Sequence, residues 1–272
     1  MKQYKQLRKK DYEQICSMLS IDAKTDLIAT HVLHSRLTYQ TVRKTFRKLK
    51  LIIKHKIVLL FGPGPSLESS IELLFNLVKN FRREVVIVAV DGATKALLKF
   101  GIDIDVIITD LDGSIAAIRK SFENGSIVVV HTHGDNISKI NEITDIIPKE
   151  GIIGTTQTKE TFKVKNLGGF TDGDRAAYLA ANMQAEIVVL IGYDFGEIVG
   201  KFSKPESKNK DFQASERKLI KFTIAKNLLS QLPNLFSSIK YYNFLIQGEE
   251  IENIPKITLS GFEELLNQKN TK

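Results

Sequence analysis

The sequence has a single cysteine and no long apolar run. Because Cys16 has no second cysteine to pair with, an intrachain disulfide and a cysteine-based zinc site are excluded. The longest apolar stretches, such as residues 85–90, run about six residues, far short of the roughly twenty that cross a bilayer. No apolar stretch follows the basic residues 2–10, so they do not form a secretory signal. We expect a cytoplasmic protein that has no membrane partner.

The overall composition is that of a globular protein. Of 272 residues, 43% are hydrophobic and 26% are charged, which excludes intrinsic disorder. This length suits one large α/β domain, or a core domain with a small helical extension. We predict a helical segment at residues 1–54 and an α/β domain at residues 55–272.

The charge balance is basic. Lysine and arginine number 39 against 31 aspartate and glutamate, which gives a formal charge of +8. The basic residues concentrate at 2–10, 43–56 and 201–210, which fits solvated helix faces and a polar loop, or attraction of an anionic ligand such as a nucleotide. Aromatic residues do not alternate with the basic ones as they do in a base-stacking surface. We predict no nucleic-acid partner.

Short β-branched runs alternate with segments of helical spacing. Most runs are continuously apolar, as strands buried on both faces are. The predicted strands are Ile57–Phe61, Val85–Val90, Ile104–Thr109, Ile127–His131, Ile152–Gly154, Ile187–Gly192 and Lys240–Leu245. The predicted helices are Leu67–Lys79, Ala93–Phe100, Ser114–Phe122, Ile137–Ile146, Asp174–Gln184 and Ala214–Leu229, besides a helical stretch at Tyr12–Lys50. The order indicates an α/β fold, a doubly wound, mainly parallel sheet of about six to seven strands with an N-terminal helical extension.

A glycine-rich turn follows the first predicted strand, where ligands bind in sheets of this kind. The turn consists of Gly62, Pro63, Gly64, Pro65 and Ser66. Its glycines allow a ligand to approach the backbone, and free N–H groups at a helix start attract anions. It matches neither a Walker A loop nor the Rossmann fingerprint. The turn is either an anion site or only a tight connection between strand and helix.

Two aspartates, Asp110 and Asp112, follow the third predicted strand. Residues two apart in an extended segment point the same way, so both carboxylates can face one cation. Oxygen ligands of this kind suit Mg²⁺, and Asp135 after the fourth strand is a candidate third ligand. The alternative is that the two aspartates cap the helix that begins after Gly113.

Other polar residues follow the remaining strands. His131 and His133 can bind a metal, hydrogen-bond a phosphate or ribose, or be structural. Asp172 and Asp174 begin a helix and are either caps or functional carboxylates, and Arg175 can clamp a phosphate. The same strand ends carry further candidate binding residues, namely Gly92, Ala93, Gly134, Asn136, Thr156, Gln157, Gly173 and Asp194.

Five of these elements together carry a family resemblance. In chain order they are Gly-Pro-Gly-Pro-Ser-Leu (62–67), Val-Asp-Gly-Ala (90–93), Asp-Val-Ile-Ile-Thr-Asp-Leu-Asp-Gly (105–113), His-Thr-His-Gly-Asp-Asn (131–136) and Gly-Gly-Phe-Thr-Asp-Gly-Asp-Arg-Ala (168–176). They resemble the archaeal-type 6-hydroxymethyl-7,8-dihydropterin diphosphokinases. The second and third elements also resemble thiamine diphosphokinases, which transfer diphosphate to another alcohol.

The resemblance implies a Rossmann-like catalytic domain and a reaction of ATP with a reduced hydroxymethylpterin, giving AMP and the pterin diphosphate ester. It implies that Asp110, Asp112 and Asp135 hold Mg²⁺ against the phosphates. The 62–67 turn is then expected to donate backbone N–H groups, and Arg175 to act as a charge clamp.

Three further roles are expected within this reaction. Asp91 or Asp174 orients the attacking hydroxyl, and the residues do not choose between them. Asp172 and Asp194 are candidates for the amino-pyrimidinone edge of the pterin, which suits a carboxylate. Residues 201–211 are either a lid over the phosphates or a passive surface loop. A homodimer is one candidate oligomeric state.

Two other function classes share part of this pattern. The motility-associated glycosyltransferases share a Gly-x-Gly-Pro-Ser-Leu element and use nucleotide-activated sugars. A regulatory nucleotide-binding module needs the glycine turn but has no need of three carboxylates. The sequence alone keeps both alternatives open.

Overall fold

The computed structural model describes residues 6–204 and 210–270. Within these residues, eight strands form one parallel sheet and two more form an antiparallel hairpin. The strands of the large sheet are β1 (Ile57–Phe61), β2 (Val85–Val90), β3 (Val106–Thr109), β4 (Ile127–His131), β5 (Ile152–Thr155), β6 (Val164–Lys165), β7 (Ile187–Ile191) and β10 (Lys240–Phe244). The hairpin pairs β8 (Ile198–Val199) with β9 (Phe212–Gln213).

Helices cover both faces of the large sheet. The helices of the described residues are α1 (Lys9–Leu19), α2 (Ala23–Arg36), α3 (Tyr39–Ile53), α4 (Leu67–Asn80), α5 (Ala93–Lys99), α6 (Ile115–Glu123), α7 (Ile137–Ile146), α8 (Asp172–Asn182), α9 (Glu216–Ser230), α10 (Leu232–Leu235) and α11 (Leu259–Asn270). Apolar residues recur every three or four positions in α4, where Leu67, Ile71, Leu74 and Val78 are buried. None of the described helices is long and apolar enough to span a membrane.

The strand order creates a crevice between β1 and β7. Across the sheet the order is β10-β7-β1-β2-β3-β4-β5-β6, so the chain runs outward from β1 to β6 and then returns to the other side of β1. Crossover connections leave β1 and β7 in opposite directions, and their loops separate there. In open parallel sheets this position is where ligands bind, beyond the carboxyl ends of the strands.

The core lies in two layers, one on each face of the sheet. All residues of β1, β2 and β7 are buried, because helices cover both sides. Leu60 and Val188 point into one layer, and Leu59 and Val189 point into the other. Continuous β-branched and leucine runs are therefore what these strands require.

The N-terminal helices contribute to both layers of the core. Leu33 of α2 is fully buried in one layer, and Leu49 and Ile53 of α3 are fully buried in the other. The helical segment is therefore packed onto the sheet rather than set apart from it. The division into domains at residue 54 stays a prediction.

The predicted fold class is confirmed, with a small difference in strand number. All seven predicted strands are present, but the sheet has eight strands because the two-residue β6 adds an edge. β6 was missed because two residues carry no readable pattern. The hairpin β8–β9 flanks the predicted polar insert, and residues 205–209 of that insert lie outside the described residues.

Candidate active site

Three carboxylates interact beyond the ends of β2 and β3. Asp91 follows β2, Asp110 follows β3, and Asp172 is the first residue of α8. The Asp110 N–H donates to Asp172 Oδ2 over 3.2 Å. The charge of Asp110 acts on the pKa of both Asp91 and Asp172 and raises it. We call Asp91, Asp110 and Asp172 the carboxylate cluster.

The carboxylate of Asp91 is held by hydrogen bonds to one of its two oxygens. Its Oδ1 accepts hydrogen bonds from the Thr109 hydroxyl at 2.8 Å and from the Gly113 N–H at 3.0 Å. The backbone of Asp91 has φ 44°, a left-handed conformation that is unusual for a residue other than glycine. Burial, followed by the charge of Asp110, raises the pKa of Asp91 to about 7. Such a carboxylate is suited to exchange a proton near neutral pH.

Asp110 is stabilised as a carboxylate. Its Oδ1 accepts the N–H of Asp112 at 3.0 Å, and its Oδ2 lies 3.6 Å from Nε2 of His133. Burial opposes ionisation, but the contact with His133 and the Asp112 N–H outweigh it, so the pKa of Asp110 is lowered. The intervening Leu111 has φ 70°, which lets the chain turn sharply between the two aspartates.

Asp172 has one oxygen without a partner. Its Oδ1 is buried and, among the residues that the structure describes, no group hydrogen-bonds to it. Burial and the charges of Asp110 and Asp91 raise the pKa of Asp172 well above its ordinary value. Next to it, the carbonyl of Gly173 accepts from the hydroxyl of Tyr193 at 3.0 Å. An unsatisfied carboxylate oxygen beside two other carboxylates fits a bound cation.

The predicted trio of Asp110, Asp112 and Asp135 is only partly brought together. Asp112 neighbours Asp110 but pairs with Lys139, whose Nζ lies 2.7 Å from Asp112 Oδ1. The Asp135 carboxylate is fully exposed and lies 3.9 Å from Nδ1 of His133, whereas Asp110 lies on the Nε2 side of that ring. Over residues 6–204 and 210–270, no three His, Cys, Asp or Glu side chains are arranged as a metal site.

The turn after β4 explains the orientation of Asp135. Residues 134–136 form one turn of 3₁₀-helix, in which the buried Asn136 points inward. Its amide donates to the carbonyls of Asp110 and His131, both at 2.7 Å, and accepts the His133 N–H at 3.2 Å. Asn136 thereby ties the end of β4 to the end of β3, and Asp135 faces solvent.

The glycine turn contacts the end of β7. The Gly62 N–H donates to Ile191 O at 2.8 Å and the Gly64 N–H to Gly192 O at 3.1 Å. Ser66 donates to Asp194 twice, through its N–H at 2.9 Å and its hydroxyl at 2.6 Å. Pro63 and Pro65 have no N–H to offer. The expected N–H donors are therefore occupied by the protein itself, and Asp194 takes the position of an anion at the start of α4.

Residues 200–203 cover this turn. Ser203 donates to the carbonyl of Pro63 at 3.0 Å, and Lys201 pairs with Glu68 of α4. A Cβ added to Gly92 would lie 1.6 Å from the carbonyl oxygen of Phe202, and the neighbouring Ala93 is buried. In this conformation the insert covers the buried Gly92 and contacts the turn, in which residues 63–65 stay half-buried.

Asp174 and Arg175 are fully buried in the first turn of α8. Asp174 accepts the N–H groups of Phe170 at 2.6 Å and Thr171 at 2.8 Å, as a cap of α8. Arg175 is fully buried and donates to Phe170 O at 2.9 Å and His131 Nε2 at 3.2 Å. Neither side chain is accessible to a ligand in this conformation, and the predicted catalytic role of both residues stays a prediction.

The N-terminal helix α2 reaches the strand ends, which the sequence did not predict. Asp26 is buried and accepts from the Gly134 N–H at 2.7 Å, the Gln157 amide at 2.8 Å and the Tyr12 hydroxyl at 2.5 Å. Thr30, one turn later, hydrogen-bonds with Thr156 at 2.8 Å. Asp26 lacks a sequence signal because a single aspartate on a helix usually faces solvent.

Known proteins are similar to the part of the chain that contains the candidate site. The family profile described as "6-hydroxymethylpterin diphosphokinase MptE-like" matches residues 33–200, which include all five motifs and the carboxylate cluster. The chain belongs to this MptE-like family.

Three archaeal relatives of the MptE-like chain carry the name 6-hydroxymethyl-7,8-dihydropterin pyrophosphokinase. The protein of Pyrococcus furiosus is 38% identical over 223 residues, which cover 82% of this chain and 91% of the relative. That of Methanocaldococcus jannaschii is 40% identical over 191 residues, covering 68% and 78% respectively. That of Methanothermobacter thermautotrophicus is 39% identical over 177 residues, covering 64% and 72%.

One solved structure resembles the MptE-like chain in shape. The MAf glycosyltransferase of Magnetospirillum magneticum AMB-1 aligns over 86% of this chain and 41% of its own, with a TM-score of 0.48 and 15% identity. At this level the similarity does not bear on activity.

Proposed function

We propose that this MptE-like protein is a 6-hydroxymethyl-7,8-dihydropterin diphosphokinase with ATP as the diphosphate donor. The observation that carries the proposal is the carboxylate cluster, which lies within the region matched by the family profile, and three relatives carry the name of this enzyme. Phosphoryl-transfer enzymes hold Mg²⁺ through carboxylates, and adjacent carboxylates repel one another unless a cation or a shared proton compensates them.

In this reaction the hydroxymethyl oxygen of the pterin attacks the β-phosphorus of ATP. A new O–P bond forms, the bond between the β-phosphorus and the oxygen bridging to the α-phosphorus breaks, and AMP leaves with that oxygen. The hydroxyl proton is transferred to a base. Most of the catalysis is positioning and charge neutralisation, because the protein forms no covalent intermediate.

The residues present fit Mg²⁺. Asp110 and Asp112 would hold it, together with the unsatisfied Oδ1 of Asp172. When bound, Mg²⁺ would neutralise charge on the phosphates and on the leaving AMP. The exposed Asp135 is a less suitable ligand than Asp172, whose buried Oδ1 has no hydrogen-bond partner among the described residues and whose pKa is raised by burial and by the charges of Asp110 and Asp91. Asp172 therefore replaces Asp135 in the proposed ligand set.

Asp91 is the proposed base. Its Oδ1 is held by Thr109 and Gly113, which orients the carboxylate and leaves Oδ2 for a substrate. Asp174, the other candidate, uses both oxygens to cap α8 and is fully buried. A base must reach the proton that it removes, and of these two candidates Asp91 is the one with an oxygen not used as a cap.

The test is to incubate the purified protein with ATP, Mg²⁺ and reduced hydroxymethylpterin and to measure AMP. We expect AMP only when the pterin alcohol is present. Parallel reactions replace the pterin with thiamine, or ATP with nucleotide sugars. AMP formed with thiamine but not with pterin, or glycosyl transfer from a nucleotide sugar, contradicts the proposal. A cytoplasmic location, a homodimer and the absence of nucleic-acid and membrane partners remain predictions.

A further inference from the structure

Helix α9 brings lysines to the carboxylate cluster. It packs against α8, which begins at Asp172, and Ser215 caps its first turn by accepting the Lys218 N–H at 3.3 Å. Lys218 lies within electrostatic range of Asp110 and Asp172, and Lys221 acts on Asp110. Two cations on one helix thus neighbour two members of the cluster.

Lys218 and Lys221 form no salt bridge with the described residues, whereas Lys226 on the same helix pairs with Glu249. The Lys218 ammonium lies 5.3 Å from the ring centre of Phe222, a cation–π contact. Lys221 and Lys204 repel Lys218, and burial followed by these charges lowers its pKa.

Like charges lie close together in each group, and Lys218 and Lys221 act on the carboxylates of the cluster without forming a salt bridge to them in the described residues. Carboxylates repel one another in the cluster, and lysines repel one another on α9. A charge that is removed from water and held without a short-range partner is costly. A ligand that carries several negative charges together with a divalent cation compensates both groups at once.

We propose that Lys218 and Lys221 bind the polyphosphate of the nucleotide co-substrate. This inference rests on the proposed function. The two lysines would make the phosphate contacts that the glycine turn and Arg175 do not offer in this conformation. Lysine ammonium groups are mobile point charges with three donors, which suits non-bridging phosphate oxygens. The carboxylates would face the same phosphates through the cation.

The test compares Lys218→Met and Lys221→Met with the wild type in steady-state kinetics. We expect each to raise KM for ATP by about tenfold or more, as loss of a charged hydrogen bond does, with the KM for pterin changed by less than about twofold. Inorganic tripolyphosphate, used as an inhibitor, should lose affinity by a similar factor. Adenosine, which has no phosphate, should inhibit all variants equally. Lys218→Arg and Lys221→Arg should recover part of the loss.

The matched control is Lys226→Gln, which removes a lysine of α9 that is already paired. It should keep both KM values. If wild-type protein forms no AMP, the proposed function fails, and calorimetric binding of tripolyphosphate to wild type and variants then decides the lysine inference alone. If wild type turns over but the methionine variants fold normally and keep their KM for ATP and their tripolyphosphate affinity, the lysine inference is wrong.

Discussion

At the scale of single residues, the site is built from groups whose protonation is set by neighbours. Asp91 and Asp110 lie in one cluster, yet the pKa of Asp91 is raised and that of Asp110 is lowered. Burial raises the pKa of both, but at Asp110 it is outweighed by His133 and the Asp112 N–H, whereas at Asp91 the charge of Asp110 adds to it. Two carboxylates can therefore take different roles, one as a cation ligand and one as a base.

The first prediction concerns Asp110. Asp110→Asn should lower turnover by at least about 100-fold, because the cation loses a charged ligand, while the free energy of unfolding stays within about 1 kcal/mol or rises. Removing one charge relieves repulsion with Asp91 and Asp172, which offsets the loss of the charged contact with His133. Steady-state kinetics and thermal melts measure both quantities. Asp145→Asn, on the exposed end of α7, is the control; normal turnover of Asp110→Asn at saturating Mg²⁺ contradicts the assignment.

A second prediction concerns His131, whose Nδ1 lies 3.3 Å from Thr155 O and whose Nε2 accepts from Arg175. Burial and the charge of Arg175 lower its pKa well below the ordinary value. In the unfolded chain this histidine takes up a proton below about pH 6.5, but in the folded protein it does not. The contribution of the neutral ring to the free energy of unfolding is therefore complete above that pH. It decreases as the pH falls towards the pKa of the folded protein, because only the unfolded chain gains the proton.

We accordingly expect the stability advantage of wild type over His131→Gln to shrink by about 1 kcal/mol between pH 6.5 and pH 5.5. The difference between the two proteins is measured because other titrating groups cancel in it. Urea unfolding at several pH values gives the numbers. His31→Gln, at an exposed position of α2, is the control. A constant difference over this range would show that the proton is not excluded from folded His131.

At the scale of elements, the loops at the strand ends are held by contacts from distant parts of the chain. Asp194 after β7 caps the glycine turn after β1, and Asp26 of α2 holds the turn after β4 and the loop after β5. A loop with few contacts of its own is fixed by such hydrogen bonds. The site geometry consequently depends on residues that no ligand touches.

The third prediction concerns the glycine turn. A Cβ on Gly64 would lie 2.3 Å from Asp194 Oδ2 and 2.4 Å from Gly192 O, so Gly64→Val should lower the free energy of unfolding by at least about 2 kcal/mol. Melting temperatures measure the loss. Gly196→Ala is the control, because no atom lies within 4 Å of an added Cβ there. A fully stable Gly64→Val with a raised KM for ATP would instead indicate phosphate contact at the turn.

The fourth prediction concerns Asp26. Asp26→Asn places an amide where three donors converge, so we expect a loss of about 2–4 kcal/mol in the free energy of unfolding. Tyr12→Phe removes only one of those donors and should cost about 1 kcal/mol. Denaturant unfolding of both variants gives the comparison. Equal and small effects would show that Asp26 does not organise the loops.

At the scale of the whole molecule, the N-terminal helices complete the core. A chain that lacks residues 1–54 exposes the surfaces against which Leu33, Leu49 and Ile53 pack. We expect it to lose cooperative thermal unfolding, because the loss spans both layers of a two-layer core. Circular dichroism melts and size-exclusion chromatography check this. A monomeric, cooperatively folding fragment would support an independent domain at residues 55–272.

The sequence by itself determined the fold class and the strand ends at which the candidate site residues lie. Continuous β-branched runs fixed the strands, and Asp110-Leu111-Asp112 marked a carboxylate site, because both signals are local. Short elements such as β6 could not be predicted, because two residues are too few to show a hydrophobic periodicity.

Tertiary structure alone decided which carboxylates meet. Asp110 meets Asp172, and the lysines of α9 approach both, although all of these lie far from Asp110 along the chain. Asp135 is closer in sequence, but the contacts of Asn136 leave its carboxylate exposed to solvent. The reason is that periodicity reports which face of an element is buried, whereas the partner of a buried polar group is set by crossovers between distant strands.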